Sequence, residues 1–184
     1  RSIACVSNLK QLSTAIIMYT NDNEGYLPRA SFLLSDGTSY GGWTQQANRE
    51  GSILNYIGAQ GARNSSDKAD HIFKCGSAPG SQNGEHYCLN DEADGKQLDS
   101  LCKGEALTDK ILVTESKGVD LFNCYGICYN AGTYGIRISH GTRANAAFMD
   151  GHVDSIESKD VTFTADDYYY IHTINHTKNH LHAY

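Results

Sequence analysis

Six cysteines are the first residues in this chain whose chemistry needs an explanation. They are Cys5, Cys75, Cys88, Cys102, Cys124 and Cys128. An even count is typical of a disulfide framework, so we expect most of these thiols to be oxidised. Zinc sites usually show paired ligands at short spacing, and only Cys124 and Cys128 form a close pair. The cysteines therefore favour disulfides, with Cys124–Cys128 as a candidate bond, over free thiols or a metal site.

His140 and Asp150 are the residues that could form a catalytic dyad, because a histidine held by a carboxylate can act as a general base. No nucleophile signature of the Gly-x-Ser-x-Gly type accompanies them. Asp150 precedes Gly151, and an Asp-Gly pair between two apolar-bearing runs is typical of a hairpin turn. We therefore expect His140, Asp150 and Gly151 to be structural and to make local hydrogen bonds. A hydrolase built on this pair is the least favoured function.

Asp91 and Asp94 are the residues that could bind calcium. They belong to the segment Asn90-Asp91-Glu92-Ala93-Asp94-Gly95, in which oxygen-bearing residues at alternate positions precede a glycine, as at the start of an EF-hand loop. Leu101 occupies the position where such a loop carries its bidentate acid. We expect a solvated acidic turn, with calcium as the weaker alternative.

The C-terminal tail contains several histidines. His172, His176 and His180 recur at every fourth position and would share one face of a helix, where imidazoles can chelate transition metals. The threonines and asparagines between them disfavour a helix. We therefore expect a polar tail, with His172 and His176 as weak metal candidates, and no cofactor overall.

Composition excludes some classes of partner. Lys and Arg number 15 and Asp and Glu 21, which gives a net charge of −6. A protein that binds a nucleic-acid backbone shows a basic face, and this chain has no basic cluster, so we expect no nucleic-acid partner. Trp43 and the 12 tyrosines could form a flat sugar-binding platform. A secreted module that binds carbohydrate or another surface ligand is therefore the alternative function.

Hydrophobic periodicity predicts a helix over residues 2–20. One apolar stripe recurs at steps of three or four residues, and it consists of Ile3, Val6, Leu9, Leu12, Ile16 and Tyr19. A run of turn-forming residues ending in Gly25 should end the helix. We expect Leu9, Leu12 and Ile16 to dock the helix onto a sheet, and Ile3 and Val6 to be more exposed than apolar residues usually are.

The rest of the chain shows short strand patterns. Residues 110–115 form the clearest strand, residues 86–89 form another, and residues 144–156 form the hairpin around Asp150 and Gly151. A two-residue turn would place Met149 opposite His152 and Phe148 opposite Val153, with the latter pair facing the core. The expected fold is α+β, an N-terminal helix packed on an antiparallel sheet.

Two segments of the chain carry a family resemblance. The first runs from Cys5 through Asn8-Leu9-Lys10-Gln11 to Pro28, and the second runs from Ser139 through His140, Asp150 and Gly151 to Val153. Nine residues separate His140 from Asp150, which gives an H-x9-DG pattern. Together the segments resemble the bacterial prepilin-like proteins of the H-x9-DG type, which are similar to the major pseudopilin of type II secretion systems. Residues 73–75 and 111–116 stand where similar family segments stand.

The resemblance implies a type IV pilin-like fold and a structural role. Residues 1–25 would be the soluble half of a long N-terminal helix, residues 26–159 the globular domain, and residues 160–184 a His-rich extension. The other half of the helix would anchor the protein in the inner membrane, with the globular part in the periplasm or on a surface fibre. Its partners would be other pseudopilin subunits and the inner-membrane secretion machinery, in a fibre that serves protein export.

Overall fold

An N-terminal helix and a four-stranded antiparallel sheet form the main body of the computed structural model. The residues that the structure describes are 2–29, 31–33, 39–41, 52–58, 71–77, 86–90, 93, 95–102, 106–115, 136–157, 173–175 and 180–182. The described elements confirm the predicted α+β class and the antiparallel sheet.

Helix α1 spans Ser2–Asp22, in agreement with the predicted helix. It ends at a turn in which Gly25 adopts a φ of 83° and its backbone N–H donates to the Thr20 carbonyl at 2.9 Å. Glycine adopts this left-handed conformation without steric penalty, which is why it commonly follows the last turn of a helix. Among the described residues, no helix is long and apolar enough to cross a membrane.

The apolar stripe of α1 is buried along most of its length. Leu9, Leu12 and Ile16 are fully buried, as predicted, and Tyr19 is also buried. Ile3, in contrast, is 85% exposed. The first turn of the helix therefore carries apolar surface that the described part of the domain does not cover.

Several short elements lie outside α1 and the main sheet. Strands β1 (Ser31–Leu33) and β2 (Ser39–Gly41) pair with each other. A 3-10 turn spans Leu54–Ile57. Further short turns and helices follow; they are His71–Phe73, helix α2 (Leu98–Cys102) and Leu107–Asp109.

The main sheet has the order β3-β4-β5-β6, and its neighbouring strands are antiparallel. Its strands are β3 (Tyr87–Leu89), β4 (Ile111–Glu115), β5 (Arg143–Phe148) and β6 (Val153–Glu157). The strands predicted at residues 86–89 and 110–115 therefore agree with β3 and β4 to within one residue. In the tail, β7 (Thr173–Asn175) pairs with β8 (His180–His182), so His180 lies in a strand.

Both faces of the main sheet are buried. On one face, Tyr87 and Ala147 join Leu9, Leu12 and Ile16 of α1 in a single core. On the other face, Cys88, Phe148 and Ile136 belong to a second, smaller core. Alternation of side chains along a strand explains why neighbours such as Ala147 and Phe148 enter different cores.

The hairpin forms where it was predicted, but its register is shifted by one residue. Ala147 pairs with Val153, and Phe148 N–H donates to the His152 carbonyl at 2.9 Å. Three residues therefore make the loop, and Gly151 in it has a φ of 89°.

The predicted pairing of Phe148 with Val153 on one core face is wrong for a conformational reason. A two-residue type I′ turn needs positive φ at both central positions, and Asp150 does not adopt positive φ. A three-residue loop with only its last residue left-handed satisfies the same Asp-Gly sequence. Val153 consequently packs against the helix-facing core, whereas Phe148 stacks on the His152 ring with centroids 4.2 Å apart.

Candidate metal centre

Four side chains from four separate parts of the chain meet beneath the first turns of α1. Ligand-type atoms of Cys5, Cys75, Glu115 and His140 all lie within 4.8 Å of one another. We call these four residues the donor cluster. Cys5 is fully buried, Cys75 is nearly so, and the side chains of Glu115 and His140 are 0% and 10% exposed.

Cys5 reaches the cluster because it lies on the buried side of α1. It precedes Leu9 by four residues, so the two side chains stand on the same helical face. Between them, Asn8 Nδ2 donates to the Lys74 carbonyl at 3.1 Å. This hydrogen bond ties α1 directly to the segment that carries the second thiol.

Cys75 follows the His71–Phe73 turn and is held by its backbone. Its N–H donates to Nδ1 of the buried His86 at 2.9 Å, and the His86 N–H donates to the Phe73 carbonyl at 2.8 Å. A backbone fixed on both sides gives the thiol a defined position. His86 thus acts as a support for the cluster.

Glu115 ends β4 on the face of the sheet that packs on α1, where it pairs with Tyr87 of β3. Its carboxylate accepts hydrogen bonds from Asn145 Nδ2 at 3.0 Å and from Asn145 N at 3.3 Å. A buried carboxylate is tolerated only when such donors compensate its lost hydration. Asn145 therefore orients the acid of the cluster.

His140 is presented by a tight turn that leads into β5. The His140 N–H donates to the Arg143 carbonyl at 3.0 Å, and the Arg143 N–H donates back at 3.3 Å. Gly141, at the first central position, has a φ of 74°, which glycine alone adopts easily. The turn points the ring at Glu115, and Nε2 lies 2.8 Å from Glu115 Oε1 and 3.5 Å from Cys75 Sγ.

The cluster strongly disfavours an isolated thiolate. Burial, followed by the neighbouring Cys5 thiol, raises the pKa of Cys75 to about 12. Burial, followed by the charges of Cys5 and Cys75, also raises the pKa of the Tyr87 hydroxyl, which lies beside the Cys5 thiol. A thiolate in this place would need a positive charge beside it.

The same geometry does not suit a catalytic triad. In a Cys-His-acid triad, one ring nitrogen contacts the nucleophile and the other contacts the acid. Here Nε2 of His140 contacts both Cys75 and Glu115. The high pKa of the buried Cys75 thiol also opposes nucleophilic attack, because the thiolate is the reactive form. Two thiols, an imidazole and a carboxylate are instead a set of zinc-ligand types.

The catalytic dyad of His140 and Asp150, which was the least favoured interpretation, is not formed. Asp150 Oδ1 accepts from the His152 N–H at 3.1 Å and lies 2.6 Å from His152 Nδ1. Asp150 thus makes the local hydrogen bonds that its turn position predicted. His140 makes local hydrogen bonds through its backbone only, because its ring contacts Cys75 and Glu115, which are distant in sequence.

Gly151 is positioned against α1. A Cβ atom at Gly151 would stand 2.8 Å from Ile17 Cδ1. A larger residue at Gly151 would therefore require the end of the Ile17 side chain to move. Leu9, Leu12 and Ile16 lie in the same helix-facing core, as the docking prediction required.

Several predicted site residues fall outside the described part of the chain. These are the calcium candidates Asp91 and Asp94, the tail histidines His172 and His176, Trp43, and the proposed Cys124–Cys128 bond. The disulfide prediction is wrong for Cys5, Cys75 and Cys88, which are free thiols. Their buried positions serve packing and the donor cluster instead of a framework of disulfides.

Sequence reasoning missed the donor cluster because its members have no characteristic spacing. Metal motifs are recognised when two ligands lie a few residues apart, and these four are widely separated. One signal was present. Cys5 and His140 lie in the two segments that carry the prepilin-like resemblance, and Cys75 and Glu115 lie in residues 73–75 and 111–116, which stand where similar family segments stand.

Comparisons of the chain with protein-family models, with curated proteins and with solved structures give no match.

Proposed function

We propose that this chain is the globular part of a pseudopilin-like subunit, with a type IV pilin-like fold, in a type II secretion or pilus-like fibre. The observation that carries the proposal is the packing of α1. One side of this helix lies on an antiparallel sheet through Leu9, Leu12 and Ile16, while its first turn exposes Ile3. A fibre subunit needs such a helix, docked at one end and open to neighbours at the other.

The contact between Gly151 and Ile17 supports the same proposal. It brings together the two sequence segments on which the prepilin-like resemblance rests. Gly151 belongs to the H-x9-DG segment, and Ile17 belongs to the N-terminal helix. Their close approach gives a physical reason for both segments to occur in one protein, since each shapes the surface against which the other packs.

The exposed start of α1 is the surface through which we expect assembly. Ile3 is 85% exposed and Val6 is partly exposed, and exposed apolar surface of this kind marks interaction sites. An apolar membrane helix leading into Arg1 would bundle with the helices of neighbouring subunits by van der Waals packing. The protein would then be anchored in the inner membrane, next to the secretion machinery, with its globular part in the periplasm.

The role is structural and not enzymatic. The separate hydrogen bonding of His140 and Asp150 supports this assignment, because the dyad that a hydrolase would need is not assembled. The high pKa of the Cys75 thiol supports it as well. The residues that matter for function are then those that dock the helix and shape the hairpin.

Cross-linking of the protein made from its complete gene tests the proposal. Ile3→Asp places a charge on the exposed start of α1 and should abolish cross-linked multimers in the membrane fraction. Gln11→Asp is the matched control, because Gln11 is also exposed on α1 but lies further along the helix. Both variants should keep the melting temperature of the parent.

Two results would contradict the proposal. One is recovery of the unaltered protein as a soluble monomer outside the membrane fraction. The other is equal multimer formation by Ile3→Asp and by the parent protein, which would show that the start of α1 takes no part in assembly.

A further inference from the structure

We propose that the donor cluster binds one zinc ion per chain, with Cys5, Cys75, Glu115 and His140 as its four ligands. The ion would be structural and would fasten the start of α1 to the sheet. This site is independent of the proposed fibre role, since it depends only on the contacts inside the domain.

The types of ligand favour zinc over other metals. Thiolates select zinc, copper(I) and iron–sulfur centres, whereas calcium and magnesium take oxygen ligands only. The donor cluster combines two soft sulfur atoms with a harder nitrogen and a harder oxygen, and tetrahedral zinc accepts all three atom types. Two thiolates would bring the negative charge that a divalent cation compensates.

The observed distances come close to a tetrahedral site. With Zn–S of about 2.3 Å and Zn–N of about 2.0 Å, a tetrahedral sulfur and nitrogen lie about 3.5 Å apart. Cys75 Sγ and His140 Nε2 are 3.5 Å apart. The 2.8 Å between His140 Nε2 and Glu115 Oε1 is a hydrogen-bond distance. It would lengthen by about 0.5 Å when zinc, with its bond lengths of about 2 Å, replaces the shared proton.

Residues around the donor cluster hold its ligands in place. Asn145 holds Glu115, His86 holds the backbone of Cys75, and Asn8 holds the segment beside it. Supporting hydrogen bonds of this kind orient metal ligands in proteins. The nine-tenths burial of all four ligands matches a closed structural site, which has no open coordination position.

The buried Tyr87 hydroxyl lies beside the same thiols. It makes no hydrogen bond of good geometry, although the Cys5 thiol lies close to it. A buried hydroxyl without a well-formed hydrogen bond is unfavourable. A thiolate is a better hydrogen-bond acceptor than a thiol, so ionisation of Cys5 and Cys75 on metal binding would give this hydroxyl a charged acceptor.

Zinc binding would change the protonation of the ligands in the following way. Each thiol releases its proton to solvent as its sulfur bonds to the metal, and the His140 proton moves from Nε2 to Nδ1, which leaves the ring neutral. Glu115 binds as the carboxylate. No oxidation or reduction takes place.

Metal analysis and cobalt substitution of the purified 184-residue chain test the proposal. We expect one zinc per chain, and for the cobalt(II)-substituted protein the visible bands of a tetrahedral ion with thiolate charge transfer. Cys75→Ser and His140→Ala should each lose stoichiometric metal. Asn145→Ala keeps all four ligands and should weaken zinc binding about 10- to 100-fold. Cys88→Ser is the matched control, because Cys88 is equally buried but lies on the opposite face of the sheet.

Each possible outcome either supports or overturns the proposal. Loss of metal in Cys75→Ser and His140→Ala but not in Cys88→Ser supports the proposal. If a variant fails to fold, the cobalt spectrum of the parent chain still decides, because thiolate charge transfer requires sulfur ligands. Reduced parent protein that binds no zinc or cobalt overturns the proposal, as does a Cys5–Cys75 disulfide in native material.

Discussion

His140 Nε2 lies 2.8 Å from Glu115 Oε1, and the Glu115 side chain is completely buried. This contact joins the turn before β5 to the end of β4, at the place where α1 begins. Nothing in the sequence indicated this contact, because the two residues are 25 positions apart. A buried carboxylate in this position has consequences for stability that can be measured.

Glu115→Ala should lower the free energy of unfolding by about 1–3 kcal/mol, because His140 and Asn145 would lose the buried carboxylate that accepts their hydrogen bonds. Glu157→Ala is the control. Its carboxylate pairs with Arg143 at the surface, where the side chains are 30% and 51% exposed, and such a pair contributes about 1 kcal/mol or less. Urea unfolding in the presence of a chelator compares the two. Equal losses of stability in the two variants would contradict the prediction that the buried Glu115 contacts contribute more than the surface pair.

Gly151→Ala should destabilise the domain by about 1–3 kcal/mol through overpacking, because the new methyl group would stand 2.8 Å from Ile17 Cδ1. Strain from positive φ adds to this. Gly141→Ala isolates the strain, since Gly141 has a φ of 74° and no atom within 4 Å of the added Cβ. Thermal unfolding of the Gly151→Ala, Ile17→Ala double variant completes the test. The contact is refuted if removing the Ile17 side chain relieves none of the loss.

Leu12→Ala should cost about 2–5 kcal/mol, because Leu12 is fully buried between α1 and the sheet and the substitution leaves a cavity. Ile3→Ala is the matched control on the same helix. Ile3 is 85% exposed, and substitution at such a surface position changes stability by about 0.5 kcal/mol or less. Chemical denaturation measures both. A large loss for Ile3→Ala would place this residue in the core and remove the proposed assembly surface.

Asn8→Ala should lower stability by about 0.5–1.5 kcal/mol, because it removes the hydrogen bond from α1 to the Lys74 carbonyl. Gln11→Ala, by comparison, removes only exposed contacts to Ser7 within the helix and should have almost no effect. Hydrogen exchange of the Cys75 backbone amide provides a second measurement. We expect faster exchange in Asn8→Ala alone, and unchanged exchange would mean that Asn8 does not hold this segment.

Local patterns predicted the elements of the fold well. The apolar residues of α1 recur at helical spacing, and burial along one side follows from that spacing directly, as Leu9, Leu12 and Ile16 show. The Asp150-Gly151 pair predicted a hairpin but not its register. Two loop lengths are compatible with this pair, and only the backbone conformation of Asp150 distinguishes them.

The donor cluster could not be predicted in the same way. Its four members meet only after β4, the turn before β5, the His71–Phe73 turn and α1 have packed together. Such an arrangement has no periodicity that a window of neighbouring residues can reveal. In the sequence, Glu115 looks like an ordinary polar residue at the end of a strand, and only the structure shows that it is buried.

The sequence of the gene immediately upstream of the codon for Arg1 tests the central claim, that α1 continues into a membrane anchor of a fibre subunit. We predict about 20 predominantly apolar residues running without a break into α1, because that length spans the hydrocarbon core of a membrane. The intact mass of the protein extracted from the membrane should include this segment. A cleavable secretory signal that ends well before Arg1, with no apolar helix after it, would contradict the account.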